Sequence, residues 1–118
     1  MAALSYVLTP TARRHLREAK TWSLARWGAK LTEQYFHDLH KAAQHIAEQH
    51  QLYAERKSLT GESGLGLFPV REHYIVYEPL TPKKIVIVDF IRQGRDIPAL
   101  LSRYAPMFRR ELEKIRKK

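Results

Sequence analysis

The sequence predicts an α+β fold: an N-terminal strand, an antiparallel helical hairpin, a three-stranded antiparallel meander that completes a small sheet, and a C-terminal helix. Two observations predict it. Residues 10–50 carry apolar side chains at the three- and four-residue spacing of helices, interrupted by Gly28. Residues 67–91 are instead rich in β-branched and aromatic residues, and short turn-forming segments divide them. At 118 residues we expect one domain, spanning residues 1–118.

The first elements have clear boundary signals. Residues 4–8 are short and apolar and predict a strand. Thr9 suits a helix N-cap and Pro10 suits the first helical position, so a helix is expected to begin there. One face of this helix is apolar: Ala12, Leu16 and Ala19.

A second helix is predicted over residues 29–50. Its apolar side chains fall at helical spacing and are expected to form one buried stripe: Leu31, Tyr35, Leu39, Ala42 and Ile46. Because Gly28 leaves almost no linker, we expect the two helices to form an antiparallel hairpin that lies on the sheet.

Three strands are predicted, at residues 67–71, 73–78 and 85–91, after a polar connector at 52–63. The last strand is apolar on both faces, which requires a cover on each side. Alternation predicts Ile85, Ile87 and Ile91 on one face and Val86, Val88 and Phe90 on the other. Asp89 interrupts this strand, and we expect it to pair with Arg71 or Arg92.

The C-terminal region is predicted to supply the second cover. Asp96 suits the cap of a short helix that begins at residue 97, and a longer helix is expected after Pro106. The apolar face of the longer helix consists of Tyr104, Phe108, Leu112 and Ile115. Two interpretations stay open: a helix packed on the sheet, or a mobile amphipathic segment that contacts a partner.

Charge indicates a polyanionic partner. The net charge is +9, concentrated in residues 13–30 and in a basic helical extension at 102–118. The chain contains no cysteine, no long apolar segment and no secretory leader, so we expect a cytoplasmic protein that does not engage a membrane.

Catalytic and metal-binding motifs are missing from the sequence. His37 and His40 are three residues apart, whereas a helical metal pair prefers a spacing of four. Nucleophile elbows and phosphate-binding glycine loops are absent, so no cofactor is expected. Arg92 and Arg95 follow the last strand, where arginine forks either bind phosphate or carboxylate groups or pair with Asp89 and Asp96.

Five segments follow one another in a characteristic order: Gly64-Leu65, Phe68-Pro69-Val70, Tyr74-Ile75-Val76-Tyr77, residues 87–91, and residues 94–101. Together with the preceding helical region, they resemble the ParE toxins of the ParE/RelE superfamily over about residues 4–101. Residues 102–118 extend beyond the usual end of that family.

The resemblance implies the toxin of a type II toxin–antitoxin system. Such a toxin would bind DNA gyrase, block replication and be neutralised by a small acidic ParD-like antitoxin with a disordered tail, with which it would form a toxin–antitoxin hetero-oligomer. We expect the target to contact basic residues near the end of the sheet and on the extension: Arg92, Arg95, Arg109 and Arg110. We expect the antitoxin to contact the apolar helical stripe: Leu16, Leu31, Tyr35 and Leu39.

Two other functions stay open. RelE-type relatives are ribosome-dependent mRNA endoribonucleases, but Tyr74 stands near the position of their strand arginine, and their lysine pair and late tyrosine have no match here. The resemblance therefore favours a non-enzymatic toxin. Charge alone would also suit a nucleic-acid-binding module.

Overall fold

The computed structural model describes residues 6–49, 65–94 and 96–116. Its elements, in chain order, are β1 (Tyr6–Leu8), α1 (Pro10–Gln49), β2 (Gly66–Val70), β3 (His73–Thr81), β4 (Lys84–Arg92) and α2 (Ile97–Arg116). The strands form one sheet in the order β1-β4-β3-β2. β1 is parallel to β4, and the other pairs are antiparallel. The α+β class and the meander are confirmed, and the predicted connector lies outside the described residues.

The start of α1 follows the predicted cap. The hydroxyl of Thr9 accepts a hydrogen bond from the backbone N–H of Ala12 at 3.1 Å, and Pro10 is the first helical residue. Thr9 also donates to the carbonyl of Val88 at 3.2 Å, so the cap is joined to β4. The cap therefore fixes both the first residue of α1 and its position against the sheet.

The prediction of a hairpin made of two separate helices is wrong. The described residues contain two helices in all, and α1 is one element of 40 residues with non-helical torsion angles at Gly28 (φ 84°, ψ 173°). A straight helix of that length would measure about 60 Å. The described part of the chain extends only 38 Å along its longest axis, so α1 changes direction at Gly28. A single glycine makes this bend, and no connecting loop is needed.

One face of the sheet packs against α1. Tyr35, Leu39 and Ile46 of α1 are buried in one cluster with Ile75 and Ile87 of the sheet. The predicted stripe is wrong at its first member, because Leu31 is 59% exposed. Thr32 lies three residues before Tyr35 on the buried side of the helix and occupies the place expected for Leu31.

The opposite face packs against α2. Leu101, Phe108 and Leu112 are buried in a second cluster with Val76 and Val86. The C-terminal region therefore supplies the second cover, as predicted, in the form of a packed helix.

The prediction of a separate short helix before Pro106 is wrong, because α2 runs unbroken from Ile97 to Arg116. Proline removes one backbone hydrogen bond there, and the burial of Leu101 and Phe108 on either side outweighs that loss. Asp96 caps this longer helix and accepts from the N–H of Ala99 at 3.3 Å.

A β-bulge in β4 changes which face its last residues occupy. Val76 pairs with Asp89 but Tyr77 pairs with Ile87, so Val88 is an extra residue on β4. Beyond the bulge, Phe90 packs on the α1 side and Ile91 on the α2 side. The predicted alternation is therefore wrong for these two residues, since an extra residue reverses the two faces.

Two polar contacts attach α2 to the rest of the molecule. The carboxylate of Glu111 accepts from the backbone N–H of Thr11 at 3.2 Å and from its hydroxyl. A negatively charged carboxylate at the first turn of α1 also interacts favourably with the helix dipole. At the last residue of α2, Arg116 pairs with Glu78 of β3 at 3.1 Å. No helix in the described ranges is long and apolar enough to cross a membrane.

Candidate functional site

An open cleft of about 510 Å³ lies where β4 ends, between α1, the first residue of β3 and α2. We call it the terminal cleft. It is defined by the ionisable and aromatic side chains in its lining: His15, Glu18, Trp22, His73, Asp89, Arg92 and Tyr104. The bulge lies directly before Asp89, and bulges commonly redirect a side chain in this way.

Asp89 is held by α1 and by its own strand. The carboxylate is 4% exposed and lies 2.6 Å from His15 Nδ1. It also accepts the backbone N–H of Phe90 at 2.7 Å. Burial raises the pKa of Asp89, while the hydrogen bond from His15 acts in the opposite direction.

The predicted pairing of Asp89 with Arg71 or Arg92 is wrong. Arg71 lies in the turn between β2 and β3, and its Nε donates to Asp38 of α1 at 2.7 Å. The hydrogen bond from Arg71 lowers the pKa of Asp38. Sequence proximity to Arg92 did not decide the partner of Asp89, because His15 of α1 lies within hydrogen-bond distance of that carboxylate.

His73 is held by a tyrosine of α1. Its Nδ1 is hydrogen-bonded to the hydroxyl of Tyr35. Burial raises the pKa of Tyr35 to about 12, so this hydroxyl stays protonated at neutral pH, and in one tautomer of His73 it donates to Nδ1. Burial lowers the pKa of His73, which favours the neutral ring. The remaining proton of neutral His73 is then on Nε2.

Acidification is expected to destabilise the protein through His73. An unfolded histidine binds a proton below about pH 6.5. The folded pKa of His73 is lower, so the unfolded state binds more protons in the window just below that value. Stability from His73 is therefore fully present above about pH 6.5 and is lost as the pH falls through its folded pKa. We expect the free energy of unfolding, measured in urea, to decrease as the pH is lowered from about 7.5 to about 5.5, a range that brackets the ordinary histidine pKa.

The variant His73→Gln tests this assignment, because glutamine does not titrate. We expect a shallower pH dependence for His73→Gln than for the parent. His37→Gln is the control, since His37 is an exposed histidine of α1. Equal slopes for the parent and His73→Gln would contradict the assignment.

The predicted target-binding arginines do not form one group. Arg92 ends β4, is exposed, and lies opposite His73 in the β3–β4 register. In the ranges that the structure describes, Arg92 makes no ion pair with Asp89 or Asp96. Arg109 and Arg110 are exposed on α2 and do not line the terminal cleft. Arg95 lies outside the described residues.

The predicted antitoxin-binding residues fall in two places. Leu31 and Tyr35 line an open groove of about 380 Å³, which we call the elbow groove, together with Trp27. Leu16 and Leu39 line a much smaller cavity of about 50 Å³. Tyr35 and Leu39 are buried, Leu16 is half-buried, and Leu31 is exposed. Leu31 therefore offers by far the most accessible apolar surface of the four.

The terminal cleft is suited to binding an anion. Among the described residues, no group of three or more histidine, cysteine, aspartate or glutamate side chains is arranged to hold a metal ion.

Arg92 was the member of the cleft that the sequence indicated. His15, Trp22, His73 and Tyr104 were missed, because no local motif connects residues from three different elements.

Comparison with known families agrees with this fold. The family model for the ParE toxin of the type II toxin–antitoxin system, parDE, matches residues 6–97. The chain belongs to the ParE toxin family. The family match runs from β1 to the first residue of α2, so nearly all of α2 lies beyond it. A search of curated proteins found no match.

A solved structure has a similar fold. It is titled as the chromosomal ParDE toxin–antitoxin system from P. aeruginosa, with a TM-score of 0.61 and 14% sequence identity. The similarity covers 95% of that chain but 75% of this one. This ParE-family chain is therefore longer than the relative with which it aligns.

Proposed function

We propose that this ParE-family toxin acts by binding DNA gyrase and blocking DNA replication, without catalysing a reaction itself. The observation that carries the proposal is the family match, which includes all four strands and α1. Arg92 and the exposed arginines of α2 supply a basic surface suited to a large acidic partner or to gyrase-bound DNA. The whole chain would act as one toxin domain, in the cytoplasm, where gyrase works.

The described residues at the end of the sheet do not contain a RelE-type cation set, which supports a binder; Arg95, which stands near a position where RelE-type enzymes use arginine, lies outside the described residues. Tyr74 stands where the strand arginine of those ribonucleases is expected, and Arg92 is the one arginine in the described lining of the terminal cleft. A single arginine is poorly suited both to orient a 2′-hydroxyl and to offset charge on a scissile phosphate. The ribosome-dependent endoribonuclease therefore remains the alternative that the tests below must separate.

The antitoxin is proposed to be a small acidic ParD-like protein whose tail orders on binding. The elbow groove suits an apolar side chain of that tail, because Leu31 is 59% exposed beside Trp27. Arg71 also lines this groove, but its guanidinium is already paired with Asp38 and Glu72 belongs to the same lining, so the contact proposed here is apolar. Leu16, Tyr35 and Leu39 would support the groove from within rather than provide most of its contact area.

A supercoiling assay tests the proposal. Purified toxin added to gyrase and relaxed plasmid is expected to inhibit ATP-dependent supercoiling, and the product of the neighbouring acidic reading frame is expected to restore it. The double variant Arg109→Gln/Arg110→Gln should inhibit at least about tenfold less, because each lost charge-assisted contact costs on the order of 1.5–3 kcal/mol.

The control is Arg13→Gln/Arg14→Gln, which removes the same charge from exposed positions of α1. It should inhibit as strongly as the parent. Undisturbed supercoiling at saturating toxin would refute the gyrase target. Ribosome-dependent mRNA cleavage by the purified chain would instead support the endoribonuclease.

A further inference from the structure

Two histidines, His15 and His73, line the terminal cleft, and in each ring Nδ1 already makes a hydrogen bond. His15 is bound through Nδ1 to Asp89 at 2.6 Å, and His73 is bound through Nδ1 to Tyr35. In each ring, Nε2 is therefore the nitrogen left for a ligand. In the tautomer of neutral His73 in which Nδ1 accepts from Tyr35, Nε2 carries the N–H and can donate to an anion. A hydrogen bond that fixes one nitrogen in this way also fixes the orientation of the ring.

The charges around these histidines favour an anion. Arg92 lies opposite His73 on the neighbouring strand and presents a guanidinium, whose fork of donors suits phosphate. Of the two acidic residues in the lining, Asp89 already accepts from His15 and from Phe90. Glu18 is exposed on α1. The inner part of the terminal cleft thus offers donors.

Two exposed aromatic rings belong to the same cleft. Trp22 of α1 is 47% exposed and Tyr104 of α2 is 40% exposed. Large aromatic side chains left open beside donors are typical of sites where nucleic-acid bases stack. The volume of about 510 Å³ also lies in the range of small-molecule sites.

We infer that the terminal cleft binds a nucleoside phosphate, with the phosphate on His73 Nε2 and Arg92 and the base against Trp22 and Tyr104. The ligand is either a free nucleotide or one residue of a single strand, because both present the same phosphate and base. This site shares Arg92 with the basic surface proposed for gyrase but does not include Arg109 and Arg110, so variants at those two positions separate the two proposals.

The two tryptophans of the chain make the test specific. Trp27→Phe leaves Trp22, inside the terminal cleft, as the sole tryptophan. Trp22→Phe leaves Trp27, which lines the elbow groove instead. The two rings are in edge contact, with their centroids 5.2 Å apart. Titration with AMP is therefore expected to quench the fluorescence of Trp27→Phe saturably and more strongly than that of Trp22→Phe. Inorganic phosphate and adenosine should each bind at least about tenfold more weakly than AMP, because each supplies half of the contacts.

Added to Trp27→Phe, the substitution Arg92→Gln is expected to weaken AMP binding at least about tenfold, and Arg109→Gln should leave it unchanged. Thermal unfolding of each variant checks that it is folded. Equal quenching of the two single-tryptophan variants, phosphate binding as tight as AMP binding, or equal losses for the two arginine variants would overturn the inference. A thymidine oligonucleotide that binds more tightly than AMP identifies a single strand, and the reverse order identifies a free nucleotide.

A supercoiling result does not decide this site. Loss of AMP binding with intact gyrase inhibition refutes only the nucleoside phosphate site. Intact AMP binding without gyrase inhibition refutes only the proposed target.

Discussion

Phe108→Ala is expected to lower the free energy of unfolding by about 3–5 kcal/mol, the usual loss when a buried phenylalanine is truncated. Phe108 is 1% exposed and belongs to the cluster in which α2 covers Val76 and Val86 of the sheet. Removing its ring leaves a cavity against strands that cannot collapse, because their other face is fixed by α1. Urea unfolding at neutral pH measures the change.

Tyr104→Ala is the matched control, since Tyr104 lies one helical turn earlier on α2 and is 40% exposed. We expect its effect to be within about 1 kcal/mol, as for most exposed positions. Equal and small effects of the two substitutions would contradict a packed α2 and favour the mobile segment. The result also decides whether a helix that lies almost wholly beyond the family match is part of the folded core.

Local sequence signals predicted the elements well where a single residue determines a boundary. Thr9 with Pro10 and then Asp96 cap their helices as expected, because capping depends on a side chain and a backbone group three residues away. The strands were also predicted correctly in number, order and antiparallel pairing. Strand ends differ from the predicted ones by up to three residues, as at Thr81.

The errors arose where distant packing outweighed local preference. Pro106 lacks an amide hydrogen and predicted a helix boundary, but burial on either side of it keeps α2 continuous. The bulge at Val88 placed Phe90 and Ile91 on the opposite faces from those predicted, and no residue type in β4 predicts a bulge there. Gly28 indicated a break but not that one residue would make the entire bend.

The terminal cleft was the least predictable feature. Its central pair joins His15 to Asp89, which are 74 residues apart in the chain. Sequence alone showed that a buried carboxylate in β4 needs a partner, and the nearby arginines were the obvious choices. The choice of His15 depends on the register of the sheet under α1, so only the folded chain defines it.

Gly28→Ala is expected to destabilise the protein by about 1–3 kcal/mol, because φ 84° with ψ 173° is a conformation that is essentially restricted to glycine. No atom lies within 4 Å of the position that a Cβ would occupy, so the whole cost comes from the backbone. Alanine also favours a continuous helix at the point where α1 must bend.

The sign of the change is the decisive measurement. If Gly28 were helical, Gly28→Ala would instead stabilise the protein by about 0.4–1 kcal/mol, since alanine loses less backbone entropy on folding. Lys30→Ala, at an exposed helical position two residues later, should change the free energy of unfolding by no more than about 0.5 kcal/mol. The bend places the side chain of Leu16 in the same small cavity as that of Leu39. If Gly28→Ala is destabilised and Lys30→Ala is unchanged, the contact between the segments of α1 before and after residue 28 depends on the backbone conformation of Gly28.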